Sequence, residues 1–419
     1  MNLTKSQEIE VLKDLDSKGK ERDWRGKKMS SLSLAKAYKG IALNLKPEYE
    51  KRGVHIRYKK VTRKIKNDAG ETVGTTVKKE SMGLYDREGK RVVNYEKRAE
   101  NMKFCGSCLE FAKMYEKLKL INANFCRVPL CPMCQWRKSM RTFFEVSKIM
   151  DIIKLRYVNY VPVFLTLTVK NCSLGNLGNN LDNMFNGWHD FMRSSSLNPM
   201  VNGEISSIVK GWFRALEITY DGDETISRRR YNNGKKYYDE RGINVGDKNP
   251  NYNTFHPHFH VIMLVEQKYF KGKDYMHTSD WVQLWRKSAR LDYDPVCDIR
   301  KTRTSTEKRK EVAEVAKYTY KDAEILNKKL SDEKQETVVK YLSSALHGRR
   351  LYAYGGVMKE IAAEIKLNAL SDKAEDDMDI NPSLSKMILT YRWNMGVSNY
   401  VFAKKREVTK DNNDNGIGF

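Results

Sequence analysis

Residues 255–265 read FHPHFHVIMLV, and no other stretch restricts the possible folds of this chain so much. Its second half is a short, β-branched apolar run, the mark of a strand buried in a sheet. Successive strand side chains face opposite ways, so Phe259, Val261 and Met263 share one face while His258 and His260 share the other. Two imidazoles roughly 6.5–7 Å apart along a strand can converge on one ion, or they can simply be the wet end of the strand. A metal reading needs a third ligand from a neighbouring element. WFRALEITYD (212–221) alternates as a strand does and sets Glu217 between Leu216 and Ile218, where a carboxylate is costly unless solvated, paired or coordinated. An oxygen-plus-imidazole site with open positions suits Mg²⁺ or Mn²⁺ better than a closed structural zinc.

The flanking pattern is mixed. VPVFLTLTVKN (161–171) reads as a strand, LDNMFNGWHDFMRSS (181–195) as a helix, and the polar stretch from Gly222 to Asn253 as an inserted loop or hairpin. A long helix is expected over 305–330, opened by a Ser305/Thr306 cap. On it Glu314, Tyr318 and Lys321 stand at i, i+4 and i+7 and line one stripe, whereas Tyr320 points about 200° away from Tyr318. A solvated charged face with Tyr318 as packing is the plainer reading of that stripe. RLYAYGGVMKEIAAEIKL (350–367) reads as a turn at Gly355-Gly356 followed by a helix, RKIKNDAGETVGTTVKKE as a hairpin-like piece, and the end from about Asp372 as acidic, then irregular.

Five of the seven cysteines fall between 105 and 134, which argues for a metal and a reducing compartment rather than disulfides. Two C-x2-C pairs separated by 22 residues predict one tetrahedral Zn²⁺ on Cys105, Cys108, Cys131 and Cys134, with Cys126 either an alternate ligand or a free thiol. Trp136, Arg137, Lys138 and Arg141 follow on an amphipathic helix, and phosphate binding by Arg137, Lys138 and Arg141 is expected. A formal charge of +24 points to nucleic acid. Residues 1–150 hold 35 Lys and Arg against 18 Asp and Glu, while residues 151–300 hold 20 against 17, so the region that grips DNA is distinct from the more selective one. No signal peptide or membrane-length apolar run is present, which makes a soluble, cytoplasmic protein the expectation.

FLTLTVKN, HPHFHVIML and EVAKYTYK, in that order, resemble the three motifs of the HUH endonucleases, more narrowly the rolling-circle replication initiators of small bacterial plasmids, in their single-tyrosine group. CRVPLCPMCQWRKSMR is similar to a cysteine segment found upstream in one such group, and RLYAYGGVMKE to a stretch after the tyrosine. The likeness spans roughly residues 100–365 and leaves residues 1–98 outside. It implies an α+β HUH-type catalytic domain with a central antiparallel sheet flanked by helices (151–370), to which cysteine spacing and charge add a Cys-rich zinc module with its following helix (99–150), a basic N-terminal DNA-binding or accessory region (1–98) and a C-terminal tail (371–419). It maps the ligand histidines onto His258 and His260, with His256 a less certain neighbour, the nucleophile onto Tyr318 between Lys317 and Lys321, and a terminating glutamate onto Glu314; Glu217 as the remaining ligand is a geometric choice. The implied activity is nicking of one origin strand through a 5′-phosphotyrosine with a free 3′-hydroxyl, and strand joining at termination. The implied partners are origin DNA, double- and single-stranded, and a bacterial host helicase and polymerase, with a homodimer left open and no membrane. A mobilisation relaxase or transposase with the same chemistry, a non-catalytic zinc-containing DNA binder and an RNA-binding protein are the rival readings; a relaxase usually places its tyrosine first, and no stacking motif of an RNA-binding module is visible.

Overall fold

The computed structural model describes residues 10–16, 19–67, 71–115, 117–301, 312–316, 322–326, 330–368 and 387–407. A six-stranded sheet lies at the centre. Its main path runs Cys297–Lys301, Tyr160–Thr168, Thr254–Glu266, Val209–Asp221, Tyr352–Gly356, every neighbouring pair antiparallel, and the short strand Cys172–Ser173 joins the start of Thr254–Glu266. The histidine strand Thr254–Glu266 is therefore interior, as its apolar half requires. It begins at Thr254, so all three histidines lie within it.

Register divides the sheet into two faces. Phe259, Val261 and Met263 point to one side, where the helices Leu177–Arg193 and Thr278–Ser288 cover them. Phe259 is fully buried, its ring 5.5 Å from that of Phe185 and 6.2 Å from that of Trp285; burying such a ring contributes roughly 2–3 kcal/mol. On the opposite face Phe164, Phe213, Ile262 and Leu264 pack under the helices Pro132–Arg156 and Val357–Asn368 and under Val312 and Val315. The histidines share this second face but sit at its open end.

A second sheet, ordered Asn399–Glu407, Met387–Asn394, Cys108–Met114, Lys117–Ala123, joins the cysteine segment to the C-terminal strands. Residues 387–407, expected to be irregular, thus form a hairpin, because Leu389 and Tyr391 find partners on Phe111 and Leu109 that no local pattern could announce. The helix Trp24–Lys51 docks on both units: buried Tyr38 donates its hydroxyl to Ser343 at 2.9 Å, and buried Ser31 reaches Cys131. Of the helix expected over 305–330, residues 312–315 and Asp322–Ile325 are helical among the described residues. The 222–253 insertion carries two short helices, Arg228–Asn233 and Lys235–Asp239, instead of a hairpin. Gly355 and Gly356, read as a turn, belong to the sheet's edge strand, where a Cβ on Gly355 would collide with the Trp212 ring and one on Gly356 with the Lys210 carbonyl. The hairpin expected near residue 70 is a long ribbon, His55–Lys66 paired with Thr72–Tyr85. No helix among the described residues is long and apolar enough to cross a membrane.

Candidate metal centres

Cross-strand register builds the first cluster. Glu217 lies directly opposite His258, and Ala215 opposite His260, so the carboxylate and both imidazoles project from one face of two adjacent strands. One Glu217 oxygen, Oε2, stands 3.0 Å from His260 Nε2 and 3.5 Å from His258 Nε2. The outer nitrogens are held from behind. His260 Nδ1 lies 3.3 Å from the Thr166 hydroxyl, contributed by the third strand, and His258 Nδ1 lies 3.3 Å from the His256 carbonyl. Were a cation to take the place of the Nε2 protons, an Nδ1–H donated to each of these oxygens would leave both Nε2 lone pairs aimed at one point, the arrangement by which outer partners orient metal-binding histidines. Glu217 is only 6% exposed. Burial acts to raise its carboxyl, but hydrogen bonds from His258 and His260 win and hold it below the usual carboxylate range. One ligand atom from each residue falls within 4.8 Å of the others, and this oxygen-plus-two-nitrogen set fits a hard divalent cation with positions to spare.

The helical turn 312–315 closes over this cluster. Val312 and Val315 are buried against the sheet, and Glu314, between them, brings Oε1 to 3.9 Å from His260 Nε2. Lys317, Tyr318, Tyr320 and Lys321 lie outside the described residues. His256 does not join the ligand group. Its ring is 5.4 Å from that of His258, burial lowers its pKa to about 4, and it walls a polar cavity of about 430 Å³ with Asn171, Thr219, Asp221 and Arg230.

The second cluster corrects one expected ligand. Cys105, Cys126, Cys131 and Cys134 bring their sulfurs within 4.8 Å of one another, and Cys108 is not among them. The reason lies in the backbone: Gly106 at φ +60° turns the chain after Cys105, and Cys108 already opens the strand Cys108–Met114, paired with Arg392. Arg127 at φ +57° folds the segment after Cys126 back toward the group, so the second turn donates the Arg127 amide to Cys134 Sγ and the Val128 amide to Cys126 Sγ. Cys131 caps the helix Pro132–Arg156 and Cys134 sits in its first turn. Hydrogen bonding with Cys105, Cys131 and Cys134 pushes the Cys126 thiol up, whereas hydrogen bonding with Cys105, Cys126 and Cys134 holds that of Cys131 down. Four sulfurs gathered this closely could hold a metal ion. The sequence signal that could have pointed to Cys126 is its own short spacing from Cys131.

The model of the family described as "Replication protein" matches residues 117–401, which take in the sheet that carries the histidines, the Glu217 cluster and three of the four clustered cysteines, Cys105 lying before them. The chain belongs to the replication protein family, as a Rep-type plasmid replication initiator. It is 31% identical to a "Protein rep" of a Bacillus species over 73% of this chain and 94% of that relative. It is also 28% identical to a "Protein rep" of Bacillus amyloliquefaciens, over 93% of this chain and 97% of the relative, and 25% identical to one of Streptococcus pneumoniae serotype 2, over 94% and 96%. The likeness to the last two of these relatives is thus wider than residues 100–365 and takes in most of residues 1–98. No solved structure matches the chain.

Within this family member the helix after the cysteines links the two clusters. Ser139 donates its hydroxyl to the Ala316 carbonyl at 2.6 Å, and Lys138 Nζ lies 4.7 Å over the Tyr352 ring, on the histidine side of the sheet. Arg141 is exposed. Arg137 instead turns inward, its guanidinium 5.5 Å from the Phe125 ring, and burial lowers its pKa to about 10. Sequence reasoning missed Thr166, Ser31 and Lys28. Lys28 is wholly buried and donates to the Lys103 and Cys105 carbonyls at 2.8 Å, tying the N-terminal helix to the cysteine turn.

Proposed function

We propose that this initiator nicks one strand at a plasmid's double-stranded origin and rejoins strands when a round of replication ends, acting in the cytoplasm of its bacterial host. The observation that carries this reading is the convergence of Glu217, His258 and His260 on one point, with Glu314 3.9 Å from His260. Mg²⁺ or Mn²⁺ bound there would draw charge from the scissile phosphate and offset what develops in the transition state. Tyr318, four residues after Glu314 in the sequence, supplies the nucleophile. Its phenol has an ordinary pKa of about 10 and is a poor nucleophile unless its proton is removed; Lys317 and Lys321 ease that loss and bind the phosphate. The Tyr318 oxygen bonds to phosphorus as the P–O3′ bond breaks, leaving a 5′-phosphotyrosine and a 3′-hydroxyl that takes up a proton and primes a host polymerase, with a host helicase opening the duplex ahead. The covalent link conserves the phosphodiester for rejoining. When Tyr318 is already occupied, Glu314 activates a water for the second cut. The cysteine cluster holds Zn²⁺ and keeps the helix Pro132–Arg156 against the catalytic face, where Lys138 and Arg141 meet DNA phosphates.

Purified protein incubated with a supercoiled plasmid carrying its own gene, with Mn²⁺, should give a relaxed circle bearing protein on a 5′ end. Tyr318→Phe should abolish the adduct and Tyr320→Phe should keep it; an adduct that survives Tyr318→Phe overturns the assignment.

A further inference from the structure

The ribbon formed by His55–Lys66 and Thr72–Tyr85 is tied to the body at its base, where Arg52 pairs with Asp86 at 2.7 Å and Arg57 stacks 4.6 Å over Tyr85. None of its described residues is buried. The short strand Arg91–Val92 pairs only with its last two residues, Leu84 and Tyr85, so beyond the base it stands as a two-stranded ribbon, which alone is marginal in water. Its two faces differ. On one, Glu80 lies between Arg63 and Lys59 and pairs with both, while Val61, Gly74 and Thr76 are half-buried. On the other, Tyr58, Lys60, Thr62 and Lys64 and their partners Ser81, Lys79, Val77 and Thr75 are all exposed, no acidic side chain is present, and Lys60 stands directly opposite Lys79. Like charges in that position repel unless an anion lies between or beside them.

We propose that this lysine face of the ribbon is a binding surface for duplex DNA, with the ribbon lying in the major groove. It rests on the reading of the chain as an initiator that acts at a double-stranded origin. Twelve residues of strand reach roughly 40 Å, about one turn of the double helix, and the major groove, about 12 Å wide, admits a two-stranded ribbon. Lys60, Lys64 and Lys79 meet phosphates at the groove edges, and the Thr62 and Thr75 hydroxyls face the base edges between them. Duplex is favoured over a single strand because Tyr58 is the face's one aromatic ring, too few for a platform of stacked bases.

Fluorescence anisotropy on a mixed-sequence duplex of about 30 base pairs, and on the matching single strand, tests this with the full chain. Lys60→Ala/Lys64→Ala/Lys79→Ala should weaken duplex binding about tenfold or more near physiological salt and flatten the salt slope by about 3, one for each phosphate no longer neutralised, with a much smaller effect on the single strand. Lys79→Ala should weaken duplex binding more than its neighbour Lys78→Ala, which points to the opposite face. Unchanged duplex affinity and slope in the triple variant, equal losses from the two single variants, or equal losses on duplex and single strand each overturn the proposal while leaving the initiator reading intact. Absence of duplex binding by the unaltered chain overturns both. The substituted positions are exposed, and circular dichroism of each variant checks that the ribbon persists.

Discussion

The two ligand clusters are built by opposite means. Cys105, Cys126, Cys131 and Cys134 are gathered by turns, with two residues at positive φ and backbone amides aimed at sulfur, and lie enclosed against buried Lys28 and Ser31. Glu217, His258 and His260 come from the flat interior of a sheet, where strand register brings them together and the Thr166 hydroxyl and His256 carbonyl hold the rings, and they face Glu314, with His256 beside them lining a polar cavity. A closed four-sulfur site has no position for a substrate and serves folding; a three-ligand site with open positions can do chemistry. Loss of the first should therefore register as stability, and loss of the second as rate.

The largest expected effect is at the enclosed cluster. Cys126→Ser should cost about 3 kcal/mol or more, or abolish folding, together with bound zinc, because metal binding at such a site is folding free energy. Cys108→Ser should change stability by less than about 1 kcal/mol and keep the zinc. Thermal unfolding and zinc content per chain read both, and the reverse order would return the ligand role to Cys108. Next comes His258→Ala/His260→Ala. Nicking of supercoiled plasmid should fall by about 10²–10⁴-fold, the several kcal/mol that a bound cation contributes to the barrier, while the melting temperature changes little. A variant that unfolds instead would make the histidines structural and erase the contrast between the clusters. Glu314→Gln should act later in the cycle, slowing the second cut by about 10²-fold or more, as loss of a general base does, and the first cut far less. Equal slowing of both cuts would place Glu314 among the groups needed for the first attack.

What could be read in advance follows from how local each feature is. The histidine strand and its two faces were legible because alternation is a property of consecutive residues, and Glu217 because a carboxylate between Leu216 and Ile218 contradicts its surroundings. That Cys126, offered only as an alternate ligand, takes the place of Cys108 was not, since it depends on a left-handed turn at Arg127 that C-x2-C spacing does not encode. The edge strands Cys297–Lys301 and Tyr352–Gly356 were hidden by their shortness and by a Gly-Gly pair whose role, close approach to Trp212 and Lys210, exists only in the assembled sheet. Lys28 looked like one of many surface lysines; the Lys103 and Cys105 carbonyls, at the end of the helix Tyr95–Phe104 and just after it, help make its burial tolerable.

Thr166 tests the finest part of the comparison. It contributes no ligand atom, yet it is the group that fixes which nitrogen of His260 faces Glu217. Thr166→Val keeps the shape and the β-branched strand residue but removes the hydroxyl, so the imidazole loses its anchor and can rotate or change tautomer. Outer partners of this kind are typically worth 10–100-fold in metal affinity. The expected result is a rise of that size in the Mn²⁺ concentration needed for half-maximal nicking, with the rate at saturating Mn²⁺ close to that of the unaltered protein and no change in zinc content. A rate deficit that saturating Mn²⁺ does not repair would mean that Thr166 acts on DNA or on the strand itself, not through His260.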